Sequence, residues 1–490
     1  MEQKAKMSLM ARIQSLFGSQ DMTQGSTMKC LLKFAVPLLI GNFAQQLYST
    51  VDSIIVGQYV GDEALAAVGA SLPAINLLFV LFMAISTGTG IMVAQYFGAR
   101  EKKLLSQTIG TSIVLIAVSS LLMSVLGIMI TRPLMTLLGT PANIYNMACE
   151  YMVIIFIGLI GSGFYNIISG ILRGLGDSFY PLVFLLVATI LNIALDLLFV
   201  ITFDMGVAGV AWATIIAQGV SAILCLIKLA NMRDMFTLNL QSLKINWSLG
   251  GQLMRLGLPS GLTQAIFSMA MVFVQSLSNS MGSLVISCST MVMRVDGFAM
   301  LPNFTFGMAL STFIGQNIGA KKLDRVNRGS KEGLLLAVAT SVILTAILLF
   351  FGHHLLRLFT GTEEIIQLGV RQLRILAAGY IAMAFTQTYS GIMRGAGDTM
   401  PAMWISLITT VIIRVPIAYI WAFFTRVPRI FEAAPQSSID NMTLWLSRQN
   451  AYVNGSPDAL FFSLLISWVL GAVFTYAWYR RGKWRDKSLV

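Results

Sequence analysis

Gly170 to Pro181 reads GILRGLGDSFYP, and the stretch returns as GIMRGAGDTMP from Gly391 to Pro401. Gly170, Ile171, Arg173, Gly174, Gly176 and Asp177 recur as Gly391, Ile392, Arg394, Gly395, Gly397 and Asp398, each 221 residues on. The same offset carries Gln95, Gly98 and Ala99 onto Gln316, Gly319 and Ala320, and Leu134 and Leu137 onto Leu355 and Leu358. An ungapped offset over so long a stretch marks two copies of one unit joined head to tail. The glycines permit a tight turn, and Arg173 and Arg394 are expected in the last helical turn, facing the helix dipole and an anionic leaflet. Neither the GxGxxG spacing nor a preceding strand is present, so the segment reads as a structural turn, not a phosphate loop.

The unit is a membrane unit. Of 490 residues, 56% are hydrophobic and 11% charged, and the mean hydropathy is +0.77; soluble domains carry about 25% charged residues. Cys30, Cys149, Cys225 and Cys288 fall singly, which is neither a metal motif nor a disulfide framework, and His353 and His354 are adjacent in a loop. Apolar runs long enough to cross a bilayer, about 20 residues as helix, lie at 34–57, 68–97, 107–130, 147–171, 180–203, 207–229, 256–281, 284–315, 334–351, 372–392, 401–424 and 460–479. The spans at 68–97 and 284–315 are long enough to contain a break.

The expected fold is therefore all-α and integral to the membrane, with twelve transmembrane helices in two parallel six-helix repeats. The divisions are a cytoplasmic lead over 1–33, an N-lobe over 34–230, a connector over 231–255, a C-lobe over 256–480 and a tail over 481–490. With the N-terminus inside, 24 Lys and Arg flank the spans on that side and seven on the other, and the excess marks the cytoplasmic side. Both termini are then cytoplasmic and 425–459 is the largest outer loop. The net charge of +12 follows this asymmetry, which leaves no reason to invoke nucleic acid.

Polar residues inside the spans need a reason, since an Asp at mid-helix costs roughly 2.5–3.5 kcal/mol on insertion scales. Asn42, Gln45, Ser49 and Asp52 form one stripe on helix 1; Asn192 and Asp196 are an i,i+4 pair on helix 5; helix 4 offers Asn166 and helix 6 Thr214. Such groups supply hard oxygen ligands for Na⁺, a proton-accepting cluster, or hydrogen bonds that join helices. Neutral Asn would join helices as well as Asp, so Asp52 and Asp196 point to function.

Together with the repeat, FAVPLLIGNFAQQLYSTVDSIIVGQYVGDEALAAVG (34–69), the GARE and GAKK loops, ILRGLGDS and LNIALDLLFV resemble the multidrug and toxic compound extrusion (MATE) family of secondary transporters. The resemblance runs from about residue 25 to 480. It implies an N-lobe cation site in which Asp52, Asn166, Asn192, Asp196 and Thr214 occupy the family's positions, with Asp52, Asn192 and Asp196 the candidate Na⁺ ligands. Many relatives have an acidic residue in helix 7, and residues 255–282 contain none, so a second site of that type is not expected.

Arg294, Asp296 and Arg414 are mid-depth charges of the C-lobe, and 294 and 296 point about 200° apart on a helix. An Asp296–Arg414 or Asp296–Arg294 pair fixing the lobe is one reading; a gate or substrate contact is the other. Gln264, Ser268 and Gln275 stripe helix 7. With Asn42 and Gln45, Gln264, Arg294, Asp296 and Arg414 are the candidate substrate-cavity or gate residues. Met269, Met271, Met291, Met293, Met300 and Met308 are either lining for an adaptable cavity or ordinary apolar filler.

The expected function is an H⁺- or Na⁺-coupled antiporter of the cell membrane, exporting amphipathic cationic compounds by alternating access as a monomer, without an enzymatic cofactor. The rival readings are a lipid-linked oligosaccharide flippase of the same superfamily and a membrane-embedded enzyme, for which no metal motif, nucleophile elbow or nucleotide-binding domain speaks. A single cysteine at Ser488 should resist an impermeant thiol reagent in intact cells while one at Ser437 reacts; the reverse pattern would invert the topology.

Overall fold

The computed structural model describes residues 18–232, 235–236, 244–357, 360–425, 427–428, 452–453 and 455–489. Lys4, Lys6 and Arg12 of the lead, Arg233, Leu358, and Arg426, Arg429, Ser437 and Arg448 of the largest loop lie outside the described residues. In lipid each crossing segment must satisfy its own backbone N–H and C=O groups, and the described chain is accordingly helical almost throughout. The helices are α1 (Thr27–Val60), α2 (Asp62–Gly98), α3 (Lys102–Leu137), α4 (Ala142–Ile157 and Leu159–Gly174), α5 (Phe179–Thr202) and α6 (Gly206–Ala230), then α7 (Trp247–Ser280), α8 (Ser283–Gly319), α9 (Leu323–Arg357), α10 (Glu363–Gly395), α11 (Met400–Phe424) and α12 (Asp458–Arg480). Each of the twelve expected spans falls within one of these to a residue, and several helices run on past the apolar run into charged ends such as Lys102 and Asp324.

The long spans at 68–97 and 284–315 are continuous as α2 and α8. A break lies in α4, where the two segments bend by 50°. At the bend a Cβ on Gly158 would lie 2.1 Å from the Ile215 side chain of α6, while the matching Gly379 of α10 stays helical against Trp468. Two-residue strands, β1 (Val427–Pro428) and β2 (Tyr452–Val453), pair antiparallel between α11 and α12.

Within each repeat the helices pack on one another around separate apolar cores, while α7 also leans on α2, and α1 on α8. The repeats also meet near the end of the bundle where both termini lie. A Cβ on Gly98 would sit 1.9 Å from the Gln316 carbonyl, and one on Gly319 2.0 Å from the Gln95 carbonyl, so only glycine lets α2 and α8 cross there. The two glutamines, both fully buried, then exchange partners across the crossing. Gln95 Nε2 donates to the Gly395 carbonyl and Gln316 Nε2 to the Gly174 carbonyl, each at 2.9 Å. Their amide oxygens accept from the chain ends: Gln316 Oε1 from Met22 N at 3.0 Å and Gln95 Oε1 from Leu489 N at 2.9 Å. Arg325 reinforces the first of these through the carbonyls of Met22, Gln24 and Gly25.

The turns after α4 and α10 belong to the same construction. Gly176 (φ +87°) and Gly397 (φ +95°) take left-handed backbone angles, and a Cβ on Gly176 would meet the Gln20 carbonyl at 2.1 Å. Asp177 Oδ1 accepts from the backbone N–H groups of Phe179 and Tyr180, both at 3.1 Å, and so caps α5. Truncating Gln95 or Gln316 to alanine strands two buried backbone groups, at about 1–3 kcal/mol each. Each variant should melt earlier in detergent than the parent. Unchanged melting in both would place the closure of this end elsewhere.

Candidate functional site

The polar stripe of α1 divides in the structure. Asn42 Nδ2 donates to Thr305 Oγ1 of α8 at 2.9 Å, beside a Phe43–Phe298 ring contact at 5.8 Å, so it joins the repeats. Gln45 and Ser49 are exposed, and Ser49 bonds only to the Gln45 carbonyl of its own helix. Asp52 turns into the N-lobe, where its carboxylate comes within hydrogen-bonding reach of Asp196 from α5. Asn192, one turn before Asp196, shares its face; both side chains are fully buried.

Around this pair, Asn192 Nδ2 and the Tyr48 hydroxyl each approach Thr214 Oγ1 of α6 at 3.5 Å. Tyr151 of α4, 6% exposed, lies within electrostatic reach of both carboxylates. The unmet atoms are oxygens: Asp52 Oδ1, Asp196 Oδ1 and Oδ2, and Asn192 Oδ1 are buried with no hydrogen-bond partner. Adjacent carboxylates without a donor between them repel, and a proton or a hard monovalent cation relieves that repulsion. No three His, Cys, Asp or Glu side chains gather into a metal cluster among the described residues.

Both carboxylates stand just ahead of wider helical turns. The π-helical segment Val56–Val60 follows Asp52 and Leu198–Thr202 follows Asp196, and the two segments touch. Such segments recur at functional sites, because an extra residue in the turn re-aims the side chains beside it.

Asp52, Asn192, Asp196 and Thr214 are thus brought together. Asn166 Nδ2 donates at 2.8 Å to the Ser162 carbonyl of its own helix. Tyr48 and Tyr151 were not singled out from the sequence. Tyr48 stands four residues before Asp52, so the helical spacing that selected Asp52 also contains it; Tyr151 carries no comparable signal, since α4 reaches the pair only through the fold.

In the C-lobe, Arg294 is exposed and Asp296 turns inward, as their angular separation requires. Arg414, 8% exposed, and the Tyr380 hydroxyl are the polar neighbours of Asp296. The pairing of Asp296 with Arg414 or Arg294 is not a closed ion pair: no such contact within 4.0 Å occurs among the described residues. Asp296 Oδ1, Tyr380 Oη and Arg414 Nε are buried without hydrogen-bond partners. Gln264, Ser268 and Gln275 are all exposed on α7, as are Met269, Met271 and Met293, whereas Met291 and Met300 belong to the C-lobe core. Asp296→Ala removes the carboxylate nearest a buried guanidinium and should cost about 3–5 kcal/mol, read as lost yield and earlier melting. Asp296→Leu with Arg414→Leu should restore the yield. A well-expressed Asp296→Ala that does not transport would instead assign the carboxylate to transport.

The MatE family model matches the chain twice, over residues 37–198 and 259–420. The chain is 28% identical over 469 residues to a probable multidrug resistance protein, YpnP, of Bacillus subtilis, covering 96% of this chain and 98% of that protein. A probable multidrug resistance protein of Thermotoga maritima, NorM, is 26% identical over 396 residues, 80% of this chain and 85% of its own. Among solved structures, one titled as an outward-facing conformation of a multidrug resistance MATE family transporter superposes with a TM-score of 0.83 at 22% identity, over 98% of this chain and 99% of that one.

Proposed function

Because the chain belongs to the MATE family of multi-pass membrane transporters, we propose that it is a cation-coupled antiporter that exports amphipathic, cationic organic compounds by alternating access of its two lobes. Its relatives are named as transporters and not as enzymes. The observation that carries the reading is the Asp52–Asp196 pair, whose buried oxygens face one another without a donor. The coupling ion is H⁺ or Na⁺, held by Asp52 and Asp196 with Asn192 beside them, and Thr214, Tyr48 and Tyr151 complete the wall.

Coupling requires that the cation bind the two states of the transporter with different affinity. The pair has a means to do so, because its members sit on different helices. Asp52 rides on α1, which also touches α8 of the other repeat, whereas Asp196 rides on α5 inside the N-lobe. A movement of α1 alone would separate the carboxylates, and neutralising them removes the cost of bringing them together. Binding of the cation from outside therefore favours the arrangement that releases the organic substrate.

In everted vesicles with an imposed H⁺ or Na⁺ gradient and a fluorescent organic cation, Asp52→Asn and Asp196→Asn should each insert normally and lose gradient-driven efflux by about tenfold or more, a typical coupling between sites. Asn192→Ala, which removes a neutral ligand, should lose less. Tyr48→Phe should lie between the parent and the aspartate variants. Normal efflux from a well-expressed Asp52→Asn, Asp196→Asn double variant would remove this pair from the mechanism.

A further inference from the structure

The segment before α1 and the segment after α12 each lie across the crossing of α2 and α8 and touch both repeats. Their contacts with the two repeats are unequal. Between Gln20 and Gly25 the C-lobe holds four consecutive residues. The Met22 N–H donates to Gln316 Oε1 at 3.0 Å, Asn317 Nδ2 donates to the Met22 carbonyl at 3.2 Å, and Lys322 Nζ donates to the Thr23 carbonyl at 2.9 Å. Arg325 donates to the carbonyls of Met22, Gln24 and Gly25 at 2.9, 3.0 and 2.6 Å. The N-lobe contributes two contacts to the same segment: the Gln20 N–H donates to the Gly176 carbonyl at 3.1 Å, and Arg100 pairs with the Asp21 carboxylate.

Burial follows the same division. Met22 and Asn317 are fully buried and Thr23 nearly so, whereas the Arg100 side chain is 62% exposed. Charge-assisted hydrogen bonds shielded from water are strong; an ion pair open to water contributes little. After α12 the pattern repeats. Trp484 is buried, stacks on Tyr479 with ring centroids 5.3 Å apart and gives its indole N–H to the Tyr479 carbonyl at 3.0 Å. Arg485 donates to Asn327 of α9 at 3.3 Å. One bond then crosses to the N-lobe, from the Leu489 N–H to Gln95 Oε1 at 2.9 Å.

At the other end of the same helices the lobes are parted. Asn42 joins α1 to α8 through Thr305, and helical spacing continues that face of α1 through Gln46, Ser49 and Ser53, all exposed. The molecule is thus closed at the end its termini cross and open along α1 beyond Asn42.

We propose that the two chain ends are a latch, in which both segments ride with the C-lobe and let go of the N-lobe when this end opens. The proposal rests on the alternating-access reading above. Parting the lobes here breaks the Gln20–Gly176, Asp21–Arg100 and Leu489–Gln95 contacts and leaves the buried C-lobe set whole. While they hold, these contacts favour the state closed at this end and so set how often the other state is visited.

Two measurements test it, and the four native cysteines, all buried, leave introduced thiols to react alone. In the first, spin labels at Lys103→Cys and Lys331→Cys, exposed positions of the two lobes at this end, report the distance between the lobes. Leu489→Pro removes the N–H that Gln95 accepts, and Arg100→Gln removes the ion pair. Together they should raise the long-distance population about tenfold over the parent, while Leu489→Ala, which keeps the N–H, should raise it less. An unchanged distribution in the Leu489→Pro, Arg100→Gln protein would overturn the latch. This measurement needs neither substrate nor gradient, so it judges the latch apart from the antiporter reading.

In the second, a short reducible thiol reagent bridges Asp21→Cys to Arg100→Cys, tying the segment to the N-lobe. Gradient-driven efflux should fall about tenfold or more and return on reduction, which excludes misfolding as the cause. The same reagent bridging Thr23→Cys to Lys322→Cys ties the segment to the C-lobe and should leave efflux unchanged. Full efflux through an intact Asp21→Cys, Arg100→Cys bridge would overturn the proposal, as would equal loss from both bridges, because the segment would then have to leave the C-lobe as well.

Discussion

Two helix backbones lie in contact where α2 crosses α8, and much of the molecule follows from that approach. Gly98 and Gly319 permit it, since a single added carbon at either would enter a carbonyl oxygen of the opposite helix. In a bilayer, where burial of apolar surface gives helices little reason to associate, close backbone packing through small residues and buried hydrogen bonds supply that reason. Gln95 and Gln316 use the approach to reach across to the last turns of α10 and α4. Their amide oxygens in turn hold Leu489 and Met22, so one crossing fixes both repeats and both chain ends. A contact made of short, directional interactions is closed or open, with little in between.

The two lobes share a scaffold and differ in charge. The N-lobe interior gathers Asp52 and Asp196 with neutral Asn192, Thr214 and tyrosines around them. The C-lobe holds Arg414 beside Asp296, and a second buried carboxylate, Asp458, pairs with Arg371. Divergence at a few positions is enough for this: Asp296 and Arg414 supply charges without closing a salt bridge.

The repeat, the number of crossings and the carboxylates of the N-lobe were legible in the chain because each is a local or periodic property. Hydropathy marks a crossing whatever its neighbours are. Asp52 and Asp196 stand out because a carboxylate in an apolar run is costly unless something answers it. Helical spacing placed Asn192 with Asp196, yet the same spacing grouped Asn42 with Asp52 although the first serves the lobe interface and the second the carboxylate pair. The stripe on α1 turns through about 100° per residue, and which part of it meets which helix depends on the partner.

What the sequence alone determined is the unit, its duplication and the residue types whose burial demands a reason. Only the tertiary structure decided which of these residues meet. It brought in Tyr48 and Tyr151, bent α4 at Gly158, left Asp296 and Arg414 short of an ion pair, and turned Arg394 from the leaflet into the lobe. The reason is physical: hydropathy and periodicity record how a segment relates to water and lipid, whereas a site is made where segments far apart in the chain present oxygen or nitrogen atoms within about 3 Å of one another. That distance is set by the packing of glycines, rings and bends on neighbouring helices, which no single helix encodes.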